Sequence, residues 1–99
     1  MKNKIQKFAN LVQIQTLETL NRRYGSTPDW TMDSKTKIIP GKKYTKVDVG
    51  NSGKFMVDED GNIFGIKGYG KINKKKHYGN LNTINLYFWG EYAPVKLSN

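Results

Sequence analysis

The first quarter of the chain carries a helical period. Ile5, Phe8, Val12, Leu17, Leu20 and Tyr24 fall within one broad half of a helical wheel, and no Gly or Pro interrupts the stretch from about Asn3 to Tyr24. Gly25 follows as a stop signal, and Arg22 and Arg23 stand in the last turn, where cations suit the negative end of the helix dipole. Leu11 and Ile14 lie outside the stripe. They imply a helix buried on more than one side or a second contact such as a homodimer, and the wide core stripe is the preferred reading.

Ser26-Thr27-Pro28-Asp29 closes the helix, because proline cannot continue it, and Trp30 to Pro40 reads as a connector. From Lys42 the period becomes two. Thr45, Val47 and Val49 alternate with Lys46 and Asp48, as in a half-buried strand. Gly50 to Gly53 reads as a turn, Lys54 to Asp58 as a second strand, Asp60-Gly61 as a hairpin signal and Asn62 to Lys67 as a third strand. Gly68 to Asn80 has little apolar content and reads as an exposed loop. Asn82 to Tyr92 is aromatic again and predicts a fourth strand, with Tyr87 and Trp89 on one face and Phe88 on the other. The tail from Ala93 to Asn99 reads as loose. The expected fold is α+β, a single domain over residues 1–99 with one N-terminal helix packed on an antiparallel sheet of three to five strands within about residues 42–92.

Composition changes this picture in three ways. Low hydropathy with a net charge of +9 is the signature of disorder, but twelve aromatic residues, only three prolines and the periodic segments favour a folded chain. The absence of cysteine excludes disulfides, thiolate chemistry and cysteine-held zinc, and fits a reducing compartment. No apolar run approaches the roughly 18 residues a membrane span needs, and the positive N-terminus is not followed by a hydrophobic signal segment. A cytoplasmic protein with no membrane partner is expected.

The distribution of charge points to the partner. Residues 1–25 carry five basic and one acidic side chain, residues 26–66 six of each, and residues 67–99 six basic and one acidic. Excess positive charge in the outer segments attracts anions, nucleic acid foremost. Within the last segment Lys67, Tyr69, Lys71, Lys74, Lys75, Lys76, His77 and Tyr78 follow one another with no acid among them. Lysines neutralise phosphates and tyrosines stack on unpaired bases, whereas an ordinary lysine run is only solvated surface. Arg22 and Arg23, with Lys2, Lys4 and Lys7 at the other end of the helix, are outer contacts on this reading.

Other residues offer less. Asp58-Glu59-Asp60-Gly61 superficially resembles a calcium loop, but its glycine comes too early and Tyr69 stands where the bidentate glutamate belongs, so it reads as a hairpin turn and not a metal site. His77 is the only histidine and has no nucleophile or carboxylate beside it. With no catalytic motif and no cofactor signature, a non-catalytic binder of nucleic acid or of an acidic or nucleoprotein partner is expected. Tyr87, Trp89 and Tyr92, and also Trp30, are candidates for a protein interface, with core packing as the default reading for aromatics in a strand.

The run Phe55-Met56-Val57-Asp58-Glu59-Asp60-Gly61-Asn62-Ile63-Phe64-Gly65-Ile66-Lys67, followed by Tyr78-Gly79-Asn80-Leu81-Asn82-Thr83, resembles small uncharacterised bacteriophage-encoded proteins over about residues 42–84. The shared features are a Phe-to-Asp strand, an acidic turn and a Gly-x-Ile strand ending in lysine. In those proteins a bulky aromatic follows the lysine soon after, whereas here Gly68 intervenes before Tyr69. The resemblance implies no activity. It implies a phage accessory protein, an inhibitor docking on a host protein or a CRISPR-type defence complex.

Overall fold

The computed structural model describes residues 2–26 and 28–97, with the backbone alone for Pro28 and Asp29. Thr27 of the loop signature and residues 98 and 99 of the tail lie outside the described residues. Helix α1 (Lys2–Tyr24) is followed by a short α2 (Pro28–Ser34) and strands β1 (Thr36–Ile39), β2 (Thr45–Val49), β3 (Ser52–Val57), β4 (Asn62–Gly68) and β5 (Lys71–Asn80). A 3₁₀ turn (Ile84–Leu86) leads into β6 (Tyr87–Phe88), which pairs with β7 (Val95–Lys96). The main sheet is an antiparallel meander in the order β1-β2-β3-β4-β5. The α+β expectation holds, at the upper end of its strand count.

Helix α1 lies on one face of this sheet. Ile5, Phe8, Ala9 and Val12 recur at helical spacing and meet Val47, Phe55, Val57 and Ile63, which the register places on a common face. Beyond Val12 the buried stripe departs from the expected one. Thr16 and Thr19 are buried, Leu17 and Leu20 are half-buried and Tyr24 is exposed. The cause is a close backbone approach. A Cβ placed on Gly90 would overlap the Gln15 carbonyl oxygen and would stand 2.6 Å from the Thr19 hydroxyl. Large side chains cannot face that contact, so the helix presents small ones. Leu11 packs against the core, leaving Ile14 exposed as the outlier of the wheel.

The centre of the core is three aromatic rings from three parts of the chain. Phe8 of α1, Phe55 of β3 and Trp89 of the C-terminal segment are at most 1% exposed. Their ring centroids lie 4.8 to 5.4 Å apart in edge-to-face geometry. Trp89 is therefore core, the default reading for the aromatic run, and it drops out of the interface candidates. Its indole N–H donates to the Ile84 carbonyl at 2.9 Å and its backbone N–H to Gln15 Oε1 at 2.7 Å, so both of its own buried donors are paired.

Three further expectations are corrected. The connector contains β1, tied to the helix because Thr36 donates its N–H to Gln13 Oε1 and its hydroxyl to the Ala9 carbonyl. Residues 82–92 do not extend the main sheet; they form the 3₁₀ turn and the two-residue β6. Val95 and Lys96 of the supposedly loose tail are strand β7, and the Leu97 N–H donates to the Leu86 carbonyl at 2.8 Å.

Replacing Gly90 with Ala forces α1 and the C-terminal segment apart and is expected to cost at least about 2 kcal/mol in urea unfolding. The control is Gly68→Ala, where an added Cβ meets nothing within 4 Å; it should change stability by no more than about 0.5 kcal/mol.

Candidate nucleic-acid interface

Gly68 to Asn80 is not a protruding loop. Tyr69 and Gly70 make a two-residue turn between Gly68 and Lys71, with Gly70 at φ +76°, and the lysine-rich run returns as β5, the edge of the sheet. The pairing is irregular. Gly65 faces Asn73, yet the next β4 residue to pair, Phe64, faces His77, so Lys74, Lys75 and Lys76 have no partners and form a three-residue bulge. The Asn73 side chain holds its start by accepting the Lys75 N–H at 3.1 Å.

The bulge sends the basic side chains to both faces. Lys76 lies on the helix-bearing face: its stem crosses Gly65, where an added Cβ would sit 3.0 Å from Lys76 Cβ and 3.4 Å from the Tyr78 ring. Lys74 borders a hollow of about 220 Å³ on the outer face, with Lys43, Tyr44, Phe64 and the acidic turn Asp58 to Asp60. Lys71 and Lys75 are exposed along the edge, and Lys67 is exposed near the end of β4. Among the described residues none of these lysines has a carboxylate within 4 Å; the ion pairs present are those of Arg22 and Arg23, both to Glu91. Arg22 and Arg23 thus gather on Glu91 at the end of α1 and are partly neutralised there.

The two tyrosines are separated by the sheet and each is already engaged. Tyr78 sets its ring against Phe55, Trp89 and Tyr87 on the helix side and is half-buried. Burial raises its phenol above the usual tyrosine range. Tyr69 lies on the outer face, over Gly53, where an added Cβ would come within 2.7 Å of the ring. The Lys46 ammonium sits 4.8 Å from its centroid, and its hydroxyl donates to Asp48 Oδ2 at 3.2 Å. His77 stacks on Phe64 at 4.9 Å in the cross-strand row Lys46, Met56, Phe64, His77. Tyr69 and Tyr78 therefore do not form one stacking platform.

On the helix side, a groove of about 350 Å³ opens beside β5. Lys54, Phe55, Gly65, Lys76 and Tyr78 line it, and Tyr92 to Pro94 form its far wall. Sequence reasoning missed Lys54, a bulge residue of β3 whose ammonium donates to the Glu91 carbonyl at 3.0 Å. Burial lowers its pKa, and the Glu91 charge opposes that shift. Nothing in its local sequence separates it from the other lysines. The interface candidates divide: Tyr87 packs against Trp89 at 5.1 Å, while Tyr92 is 96% exposed.

The acidic turn is occupied with its own geometry. Partial burial pushes Asp58 upward, but N–H groups of Asn62 and Asp60, the Asn62 amide and Gly61 hold its carboxyl below the usual value. Among the described residues no three His, Cys, Asp or Glu side chains gather as a metal site, and no helix is long and apolar enough to cross a membrane. No protein-family model, curated protein or solved structure matches this chain.

The Tyr69 phenol is expected to ionise above the usual tyrosine range, because contact with the sheet desolvates it and the hydrogen bond and charge of Asp48 hold its proton. A folded pKa raised above the unfolded value means a stabilising contribution fully present below about pH 10 and lost as pH rises through the folded pKa. Ultraviolet titration should show two late phenols, Tyr69 and Tyr78, of which the Tyr69 phenol alone moves toward the ordinary range in Asp48→Asn.

Proposed function

We propose that this is a non-catalytic cytoplasmic protein that binds nucleic acid, alone or within a nucleoprotein complex, along the β5 edge of its sheet. The observation that carries the reading is the uncompensated charge of Lys71, Lys74, Lys75 and Lys76 on one edge strand, with Lys67 near the end of β4 beside it. Each four-carbon lysine stem is flexible, so ammoniums rooted on both faces can turn to a phosphate chain lying along the edge. Free backbone N–H groups of an edge strand add further donors. Neutralising phosphates releases counterions, which supplies the affinity without base-specific contacts.

An edge lysine also has a purely protective use, since charge and bulges prevent edge-to-edge pairing of sheets. The two uses differ in their response to salt. With four or five phosphate contacts, log affinity should fall against log salt with a slope of about −3 to −4.5. Changing Lys71, Lys74 and Lys75 together to Glu should flatten that slope by about 2 to 3, with unchanged circular dichroism. Arg23→Gln should leave the slope as it is. Salt-independent binding, or a triple variant that binds as the parent does, would reject the proposal.

A second reading has its own observation. Tyr92, Leu86, Val95 and Leu97 are all exposed, and the β6–β7 register places the last three on one side of the ribbon. This favours docking on a protein, such as a host defence complex. The readings separate in native purification: nucleic acid lost on nuclease treatment supports the first, whereas one protein retained after nuclease and lost in Leu97→Asp supports the second.

A further inference from the structure

The groove beside β5 has a composition that the edge alone does not explain. It is bordered by two cations, Lys54 and Lys76, and by the rings of Phe55, Tyr78 and Tyr92, with no carboxylate side chain in its lining. Its volume of about 350 Å³ stands at the lower end of small-molecule sites, which run from about 300 to 1,000 Å³, and suits a single small ligand. Gly65 keeps it open, because a side chain there would displace the Lys76 stem and press on Tyr78. Tyr92 leaves nearly its whole ring in water at the mouth, a costly position for an aromatic with nothing to cover it.

We infer that this groove holds one nucleotide unit, with its phosphate between Lys54 and Lys76 and its base against Tyr92. The inference rests on the nucleic-acid reading above and deepens it, since Lys76 belongs both to the lysine run of β5 and to the groove. A ligand must bring negative charge for two ammoniums and a flat apolar face for an unpartnered ring; a nucleobase carrying a phosphate supplies both. Lys54 is partly withdrawn from solvent, which disfavours its charge, and a neighbouring phosphate favours it. The outer face offers no equivalent, because Tyr69 is held between Gly53 and Lys46 and Phe64 is covered by His77.

The test compares a short oligothymidylate, an abasic oligonucleotide of the same length and thymidine monophosphate, using fluorescence anisotropy and calorimetry. The base-bearing strand is expected to bind about tenfold more tightly than the abasic one. Tyr92→Ala should remove that preference while leaving abasic affinity unchanged, and Tyr92→Phe should keep it. Tyr92 is nearly fully exposed, so neither variant threatens the fold. Equal affinity for the two strands, or a preference that survives Tyr92→Ala, overturns the inference and leaves the edge reading standing. Monophosphate binding lost in Tyr92→Ala, with neither strand bound, upholds the groove and rejects the edge. If none of the three ligands binds, both fall.

Discussion

Phe8, Phe55 and Trp89 meet edge to face at the centre of the molecule, and each arrives from a different part of the chain. The rings present positive edges to negative faces, which adds direction to a hydrophobic contact that would otherwise have none. That direction matters because the C-terminal segment has little regular structure of its own. Trp89 anchors it, with the indole N–H on Ile84 and the backbone N–H on Gln15. One residue later Gly90 rests on α1, and Glu91 then lies within reach of Arg22, Arg23 and Lys54. Tyr92 to Pro94 follow as the wall of the groove. The position of a surface feature is thus fixed by a contact at the centre of the core.

Much of the fold was legible because its signals are local. The helix, the alternation of Thr45, Val47 and Val49, and the Asp60-Gly61 turn each follow from a few consecutive residues. What escaped was decided at long range. Strand β5 holds Ile72 and Tyr78 as its main apolar residues, and an edge strand needs no fuller alternation because it has one neighbour. Its lysines resembled a loop for the same reason that they suit an edge. In the same way, the aromatic run ending at Trp89 looked like a fourth strand, since nothing in its own sequence reveals the ring contacts with Phe8 and Phe55 that hold it. The threonines of α1 were passed over because only the approach of Gly90 makes small residues the right ones there.

The candidate site was legible by residue and illegible by arrangement. Lys67, Lys71, Lys74, Lys75 and Lys76 are exposed as charge alone suggests, but a three-residue bulge sets which faces Lys74, Lys75 and Lys76 reach. A bulge depends on the partner strand: Gly65 gives room for the Lys76 stem, and Asn73 turns the chain. The tyrosines show the same limit. Spacing puts Tyr69 and Tyr78 in one basic run, yet the turn at Gly70 and the bulge carry them to opposite sides, one to Asp48 and the other to Phe55.

The asymmetry of the two faces then constrains how a strand lies on the proposed edge. Phosphates drawn to ammoniums from both faces track the edge itself, so bases must turn to one side or the other. On the outer side they meet rings that are already engaged: the Phe64–His77 stack, the Lys46–Tyr69 contact and the Tyr69 hydroxyl held by Asp48. Displacing any of these exchanges one stacking or hydrogen-bonding partner for another, with little net gain. On the helix side Tyr92 is unpartnered, and Lys54 uses one of its three ammonium donors on the Glu91 carbonyl, so contact there adds interactions. The physical difference between the faces lies in which rings remain unpartnered, and it favours bases on the side where the C-terminal segment has built a groove.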